Sequence, residues 1–217
     1  MAASSVTSNQ QGLHRRLHQE VRRHLTSPYQ KPYAQHSLDA FERLKAWLAG
    51  DHRPLVLDSC CGVGESTAAL AAVHSGARVL GVDKSAHRLD KHVHYTGDSD
   101  NYLVLRADLQ DLWRLMADAG IRLSHHYLLY PNPWPKAAHL TRRWYAGPCL
   151  PALLALGGQL EVRSNWELYL EEFAEALALA GIASSQGAVT ADPITPFERK
   201  YLQAGQSCRW LRANLKA

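Results

Sequence analysis

Long apolar runs are missing from this chain of 217 residues. None approaches the roughly 18 residues needed to span a bilayer, and the most apolar stretch, Leu150 to Leu160, is short and broken by glycine. A soluble protein with no membrane contact is expected. No apolar segment follows the start, which excludes a secretory signal. Cysteine is scarce: Cys60, Cys61, Cys149 and Cys208 make up the set, and no two have CxxC spacing. That excludes a disulfide framework and a zinc ribbon, and fits a reducing, cytoplasmic setting. Acids are missing before Glu20, while Met1 to Arg16 carries serines, a threonine and two arginines. A mitochondrial transit peptide reads this way, and so does a disordered tail running into a basic helix. The tail is preferred, because the basic pattern continues through Arg22 and Arg23. Internal repeats and low-complexity linkers are also absent.

The length suits one α/β domain plus a short extension. We divide the chain into a basic N-terminal extension with helices at 1–50 and one catalytic domain at 51–217. Apolar residues make up 46%, enough for a sizeable core, and the net charge of +4 permits a polyanionic partner without requiring one.

Leu13 to Leu25 reads as a short basic helix, Ser27 to Tyr33 as a loop, and His36 to Leu48 as a helix of apolar period ended by Gly50. Strand and helix then alternate. Strands are predicted at Pro54 to Leu57, Arg78 to Val82, Tyr102 to Leu105, Tyr127 to Leu129 and Gly158 to Val162. Two later strands fall near Ala183 to Val189 and Ser207 to Arg212. Helices are predicted at Ser66 to His74, Ser85 to His94, after Asp108 to about Ala119, at Leu140 to Leu156 and at Trp166 to Ala180. Short connections between alternating elements predict a doubly wound, mainly parallel α/β sheet with helices on both faces. Ligands in such sheets sit beyond the carboxyl ends of the strands.

The polar residues at those ends are therefore informative. Val56-Leu57-Asp58-Ser59-Cys60-Cys61-Gly62-Val63-Gly64 is a strand running into a glycine turn and a helix. Gly62 and Gly64 allow close backbone approach, and the helix start offers free amides to a carboxylate. The turn is not GxGxxG, since Cys60 holds the first glycine-like place, and no Lys-Ser or Lys-Thr follows it. Asp83 ends the second strand, where an acid can accept both ribose hydroxyls of an adenosine. Asp108 follows the third strand and can accept from the adenine amine. Each acid alone is as well explained as a helix N-cap; three in this order point to adenosine. That leaves a dinucleotide and S-adenosylmethionine as alternatives.

Tyr130-Pro131-Asn132-Pro133-Trp134-Pro135-Lys136 follows the fourth strand. The prolines stiffen the loop. Trp134 can stack on a base or pack into a rigid turn, and Lys136 can meet a phosphate or a carbonyl. With these residues the chain resembles the tRNA (guanine-N(7))-methyltransferase family, which has an Asp-Pro-Trp-Pro-Lys loop and then Arg-Arg, here Arg142-Arg143. Ser164-Asn165-Trp166-Glu167-Leu168-Tyr169 is similar to the family's Thr-Asp and Tyr-bearing helix, and Thr195-Pro196-Phe197-Glu198 to its Thr-x-Phe-Glu. The match runs from about Pro54 to Leu211.

The resemblance implies a Rossmann-like methyltransferase using S-adenosylmethionine on a guanine of tRNA. Asp58, Cys60, Gly62, Gly64, Asp83, Asp108 and Asn132 would bind cofactor. Asn132 would be the catalytic position. Trp134, Lys136, Asn165, Thr195, Phe197 and Glu198 would contact the substrate. Asn132 and Asn165 each stand where the family has an aspartate, which removes charge beside a base that becomes cationic on methylation. A slow enzyme, another acceptor such as a different base or a small molecule, and a binding-only RNA relative stay open. Arg15, Arg16, Arg22, Arg23, Lys136, Arg142 and Arg143 are candidates for phosphate contact. His87, His92, His94, His125 and His126 carry no acid or cysteine spacing that would make a metal site, and none is expected.

Overall fold

The computed structural model describes residues 6–95 and 99–215. Residues 1–5, where the tail or targeting reading begins, lie outside them. Seven strands form one sheet: β1 (Leu55–Ser59), β2 (Arg78–Asp83), β3 (Tyr102–Arg106), β4 (His125–Leu129), β5 (Gly158–Ser164), β6 (Ser184–Ala188) and β7 (Arg209–Leu215). Their order is β3-β2-β1-β4-β5-β7-β6. The first five are parallel, and β7 runs antiparallel between β5 and β6. The helices are α1 (Leu17–Thr26), α2 (Gln35–Leu48), α3 (Glu65–Val73), α4 (Ala86–Leu89), α5 (Leu109–Asp118), α6 (Leu150–Leu156), α7 (Glu167–Leu179) and α8 (Pro196–Gln203). The expected doubly wound α/β sheet is present. No helix among the described residues is long and apolar enough to cross a membrane.

The two faces of the sheet differ in depth. Strand residues alternate between faces, so Leu55 and Leu57 enter one core and Val56 the other. The first core is large. It gathers Trp113 and Met116 of α5, Leu150 and Leu153 of α6, and Tyr169 and Phe173 of α7. Leu17 and Val21 of α1, with Phe41 and Leu44 of α2, belong to it as well, so the N-terminal helices share the core of the sheet. α5 shows why: Leu109, Leu112, Trp113 and Met116 repeat at helical spacing and all are buried. The second core is small, built from Val56, Leu70, Ala71, Ala77 and Val79 under α3.

Three expectations are corrected. The helix expected over 140–156 is two 3-10 turns, Ala137–Arg142 and Trp144–Ala146, followed by α6 alone. Gly147-Pro148 interrupts it, since proline lacks the donor and restricts the residue before it. The helix expected over 85–94 is the single turn α4 and a 3-10 turn His92–His94. The basic helix starts at Leu17, not Leu13. The Thr195 segment is helical from Pro196 to Gln203, with Pro at its first turn and Thr195 as its cap.

Gly158 opens β5 with φ +83°, and a Cβ there would lie 2.8 Å from the Ser124 carbonyl oxygen. Both backbone strain and a clash with main chain follow. We expect Gly158→Ala to lower stability by at least about 2 kcal/mol, read as a drop in the midpoint of thermal or urea unfolding. An unchanged midpoint would refute the account of this junction.

Candidate functional site

The carboxyl ends of β1, β2, β3 and β4 open into one cleft of about 300 Å³, at the small end of ligand-pocket sizes. Cys60, Asp83, Asp108, Asn132, Trp134 and Phe197 all line it. Six of the residues singled out in the sequence are therefore brought together from five segments of chain.

The turn after β1 is built for close approach. Cys60 has φ +63°, Gly62 +62° and Gly64 +78°. The Gly62 N–H donates to Asp83 Oδ2 at 3.1 Å, and the Ser85 N–H to Asp83 Oδ1 at 2.8 Å. Arg88 lies 3.3 Å from Oδ1. Asp83 is thus locked in place at the cleft wall, with Oδ2 keeping a further lone pair. Asp108 caps α5, accepting from the Gln110 N–H at 2.9 Å, and lines the cleft as well. Capping and ligand binding, posed as rivals for this residue, are compatible.

Asp58 is placed differently. It is fully enclosed beneath the turn and accepts from Ser66 Oγ and Thr67 Oγ1, both at 2.7 Å, through Oδ2. Its Oδ1 has no partner. Burial outweighs the two hydroxyls and raises its pKa to about 6. Gly64 is overlaid by the ring of His92, whose Nδ1 lies 3.1 Å from the Val63 carbonyl. Asp58, Gly62 and Gly64, each expected to bind cofactor, shape the turn instead; none of the three lines the cleft, and the Gly62 amide is spent on Asp83. Burial, with Asp83 and Asp58 nearby, pushes the Cys60 thiol up to about 12, which disfavours its thiolate.

The proline loop is held from both ends. Tyr130 has φ +50° and Trp134 φ +47°. The Tyr130 hydroxyl donates to Glu198 Oε1 at 2.8 Å, and burial pushes its own pKa far up. At the other end, Arg143 Nε donates to the Trp134 carbonyl at 3.2 Å. Between them the Trp134 N–H donates to Asn132 Oδ1 at 3.1 Å, an Asx turn. Arg142 stacks its guanidinium 4.8 Å from the Trp134 ring centre. Lys136 is exposed beside the loop.

Other assignments from the sequence are corrected. Glu198 is fully buried and already accepts from Tyr130, from Arg163 Nη1 at 2.9 Å and from the Ile194 N–H at 3.0 Å, so it is not a surface for substrate. Thr195 is buried and accepts the Glu198 N–H at 2.9 Å as the cap of α8. Asn165 donates to Gln206 at 2.8 Å, away from the cleft lining. Arg143 has no exposed surface and is ion-paired with Glu172, so it does not meet phosphate. Lys84, Arg88, Gln110, Tyr130, Thr141 and Trp144 line the cleft but were not singled out for it. Gln110 and Tyr130 adjoin recognised motifs. Arg88 and Thr141 carry no local signal. No group of three His, Cys, Asp or Glu among the described residues could hold a metal ion.

A pH test isolates Asp58. Its folded-state pKa is raised, so its ionisation penalty is absent below the ordinary value of 3.8 and complete above about 6. The shift corresponds to roughly 3 kcal/mol. Asp58→Asn removes the penalty. The melting temperature of the variant minus that of the wild type should therefore rise between pH 4.5 and pH 8. A difference that stays flat or falls would show that Asp58 is not held against its charge.

A family described as putative methyltransferase matches residues 52–209, well over half of the chain. A tRNA (guanine-N(7)-)-methyltransferase of Burkholderia ambifaria is 30% identical over 166 residues, covering 72% of this chain and 65% of the relative. The protein of that name from Treponema pallidum (strain Nichols) is 32% identical over 162 residues, covering 71% and 64%. The chain thus spans just under two thirds of the length of these curated relatives. Among solved structures, the 16S rRNA methyltransferase KamB aligns with a TM-score of 0.60 at 17% identity, over 88% of this chain and 99% of that one. The aminoglycoside resistance methyltransferase NpmB1 aligns with a TM-score of 0.55 at 19% identity, over 81% and 93%. These structures share the fold. The glycine turn, the strand-end acids and the proline loop all lie inside the matched region, and the chain belongs to the putative methyltransferase family.

Proposed function

We propose that this protein is an S-adenosylmethionine-dependent methyltransferase acting on N7 of a guanine in tRNA. The observation that carries the reading is the convergence of Asp83, Asp108 and the Asn132–Trp134 loop on one cleft. The names of the curated relatives support the same substrate.

The residues fit the cofactor. Asp83, nearly enclosed but on the cleft wall, suits a pair of ribose hydroxyls; Asp108 suits the adenine amine; Cys60 brings the turn after β1 to the cleft. When bound, the cofactor supplies an electrophilic methyl group on a sulfonium, and the accepting purine nitrogen takes on positive charge. The protein's part is positioning and electrostatics. Trp134 and Phe197, both on the cleft, offer ring faces to a base. Asn132 presents its amide oxygen where the charge develops. Glu198 and Thr195 act at one remove, by holding Tyr130 and α8. Lys136 and Arg142 are exposed for phosphate. The basic extension 1–50 would serve the RNA and the domain from 51 onward the chemistry, in a cytoplasmic setting that suits four free cysteines.

A specific observation keeps a second reading open. Both positions where the resembled family has aspartate are asparagine here, and Asn165 is turned to Gln206. An acceptor other than guanine would fit a less charged loop.

Two outcomes follow. Calorimetry should show binding of S-adenosylmethionine, with Asp83→Ala weakening it by about 2 kcal/mol through lost charge-assisted hydrogen bonds. Clear binding of a dinucleotide instead would overturn the assignment. The Asx turn at Asn132 survives replacement by aspartate, because a carboxylate oxygen accepts the same Trp134 N–H. Asn132→Asp should therefore raise 7-methylguanosine in tRNA at least roughly tenfold, about 1.4 kcal/mol of barrier. Mass spectrometry of bulk tRNA nucleosides, with and without the gene, reads both the native activity and this gain. A fall in activity would show that asparagine is the working residue.

A further inference from the structure

A second cavity near the loop is separate from the cleft. It is a groove of about 670 Å³ between the N-terminal segment and the 137–141 turn, and Arg15, Arg16 and Arg23 line one side. Ala137, Ala138 and Leu140 line the other, with Thr141. Thr141 also lines the cleft, so a single ridge of chain divides the two.

The groove has a defined wall. Ser8 Oγ donates to the Pro135 carbonyl at 2.6 Å, and the Ala137 N–H donates to Asn9 Oδ1 at 3.1 Å. Gln10 Nε2 and the His14 N–H both donate to Glu172 Oε1 at 2.6 Å. These bonds pin residues 8–14 against the proline loop and against the buried Arg143–Glu172 pair. The charge is unbalanced. Arg16 and Arg23 share one acid, Glu20, which is itself almost wholly buried. Arg15 is exposed and has no ion pair among the described residues. Three guanidinium groups thus face one carboxylate along the groove, while Arg142 lines the cleft on the other side of Thr141.

A polyanion with a regular charge spacing suits such a groove better than a small anion, which would leave most of the length unfilled. We infer that the groove carries the phosphodiester backbone of the RNA strand flanking the nucleotide that enters the cleft. This rests on the reading of the protein as an RNA methyltransferase. The ridge at Thr141 sets the geometry: backbone on one side, splayed base on the other. Arg15 and Arg23 meet successive phosphates, and the N-terminal segment is part of the substrate site.

The test compares full-length wild type with Arg15→Gln, with Arg15→Gln/Arg23→Gln, and with Arg122→Gln as a control. Arg122 lies before β4, at the end of the sheet opposite the cleft. tRNA affinity is measured across a salt series, and S-adenosylmethionine affinity by calorimetry. The double variant should bind tRNA about tenfold more weakly, and each lost contact should flatten the log–log salt slope by roughly 0.7–0.9. KM for tRNA should rise with kcat nearly unchanged, as expected of contacts equal in ground and transition states. Cofactor affinity and the Arg122→Gln protein should match wild type. Wild-type tRNA binding with an unaltered slope in both groove variants would overturn the groove assignment and leave the RNA reading standing. Wild type that binds cofactor but retains no tRNA at low salt would overturn both.

Discussion

Two buried charges hold the proline loop, and the rest of the site depends on them. Glu198 receives the Tyr130 hydroxyl at the entrance, and Arg143 donates to the Trp134 carbonyl at the exit. Neither charge is left unpaired: Glu198 meets Arg163, and Arg143 meets Glu172. Burying an ion costs several kcal/mol unless partners replace its water, so such groups stay only where their geometry is complete. Completeness is also what makes them rigid supports. Between them the loop carries two non-glycine residues at positive φ, a conformation that persists only when its surroundings dictate it.

Both supports reach beyond the loop. Glu198 sits on α8, and the next residue, Arg199, is paired with Glu65 at the first turn of α3. One short helix thereby contacts α3, the proline loop and β5. Glu172 sits on α7 and accepts from Arg143, Tyr145, Gln10 and the His14 amide. It ties the N-terminal segment to the loop's exit. The deep core on that face of the sheet, shared by α1, α2, α5, α6 and α7, gives these ties a stiff base.

Much of the architecture was legible from local pattern. The alternation of apolar strands and amphipathic helices specified a parallel sheet, because side-chain period and connection length leave few other solutions. The acids at the ends of β1, β2 and β3 were readable because the site of a doubly wound sheet lies at its strand ends. Three prolines gave the loop its place. Where the pattern misled, the causes are local too: Gly147-Pro148 broke a helix that apolar spacing alone would have continued.

Roles were another matter. Chain order alone determined that Asp83, Asp108, Asn132 and Trp134 would meet at one edge of the sheet, since each follows its strand. It could not decide which acids face the cleft. Asp58 and Asp83 end neighbouring strands with the same chemistry, yet one is sealed under Ser66 and Thr67 and the other, though nearly enclosed, lines the cleft. Glu198 and Arg143 read as surface contacts for substrate, and they are buried supports. The difference arises from packing between segments far apart in the chain, 68 residues for Tyr130 and Glu198 and 133 for Gln10 and Arg143. Burial and hydrogen-bond partners are properties of that packing, and no window of sequence contains them.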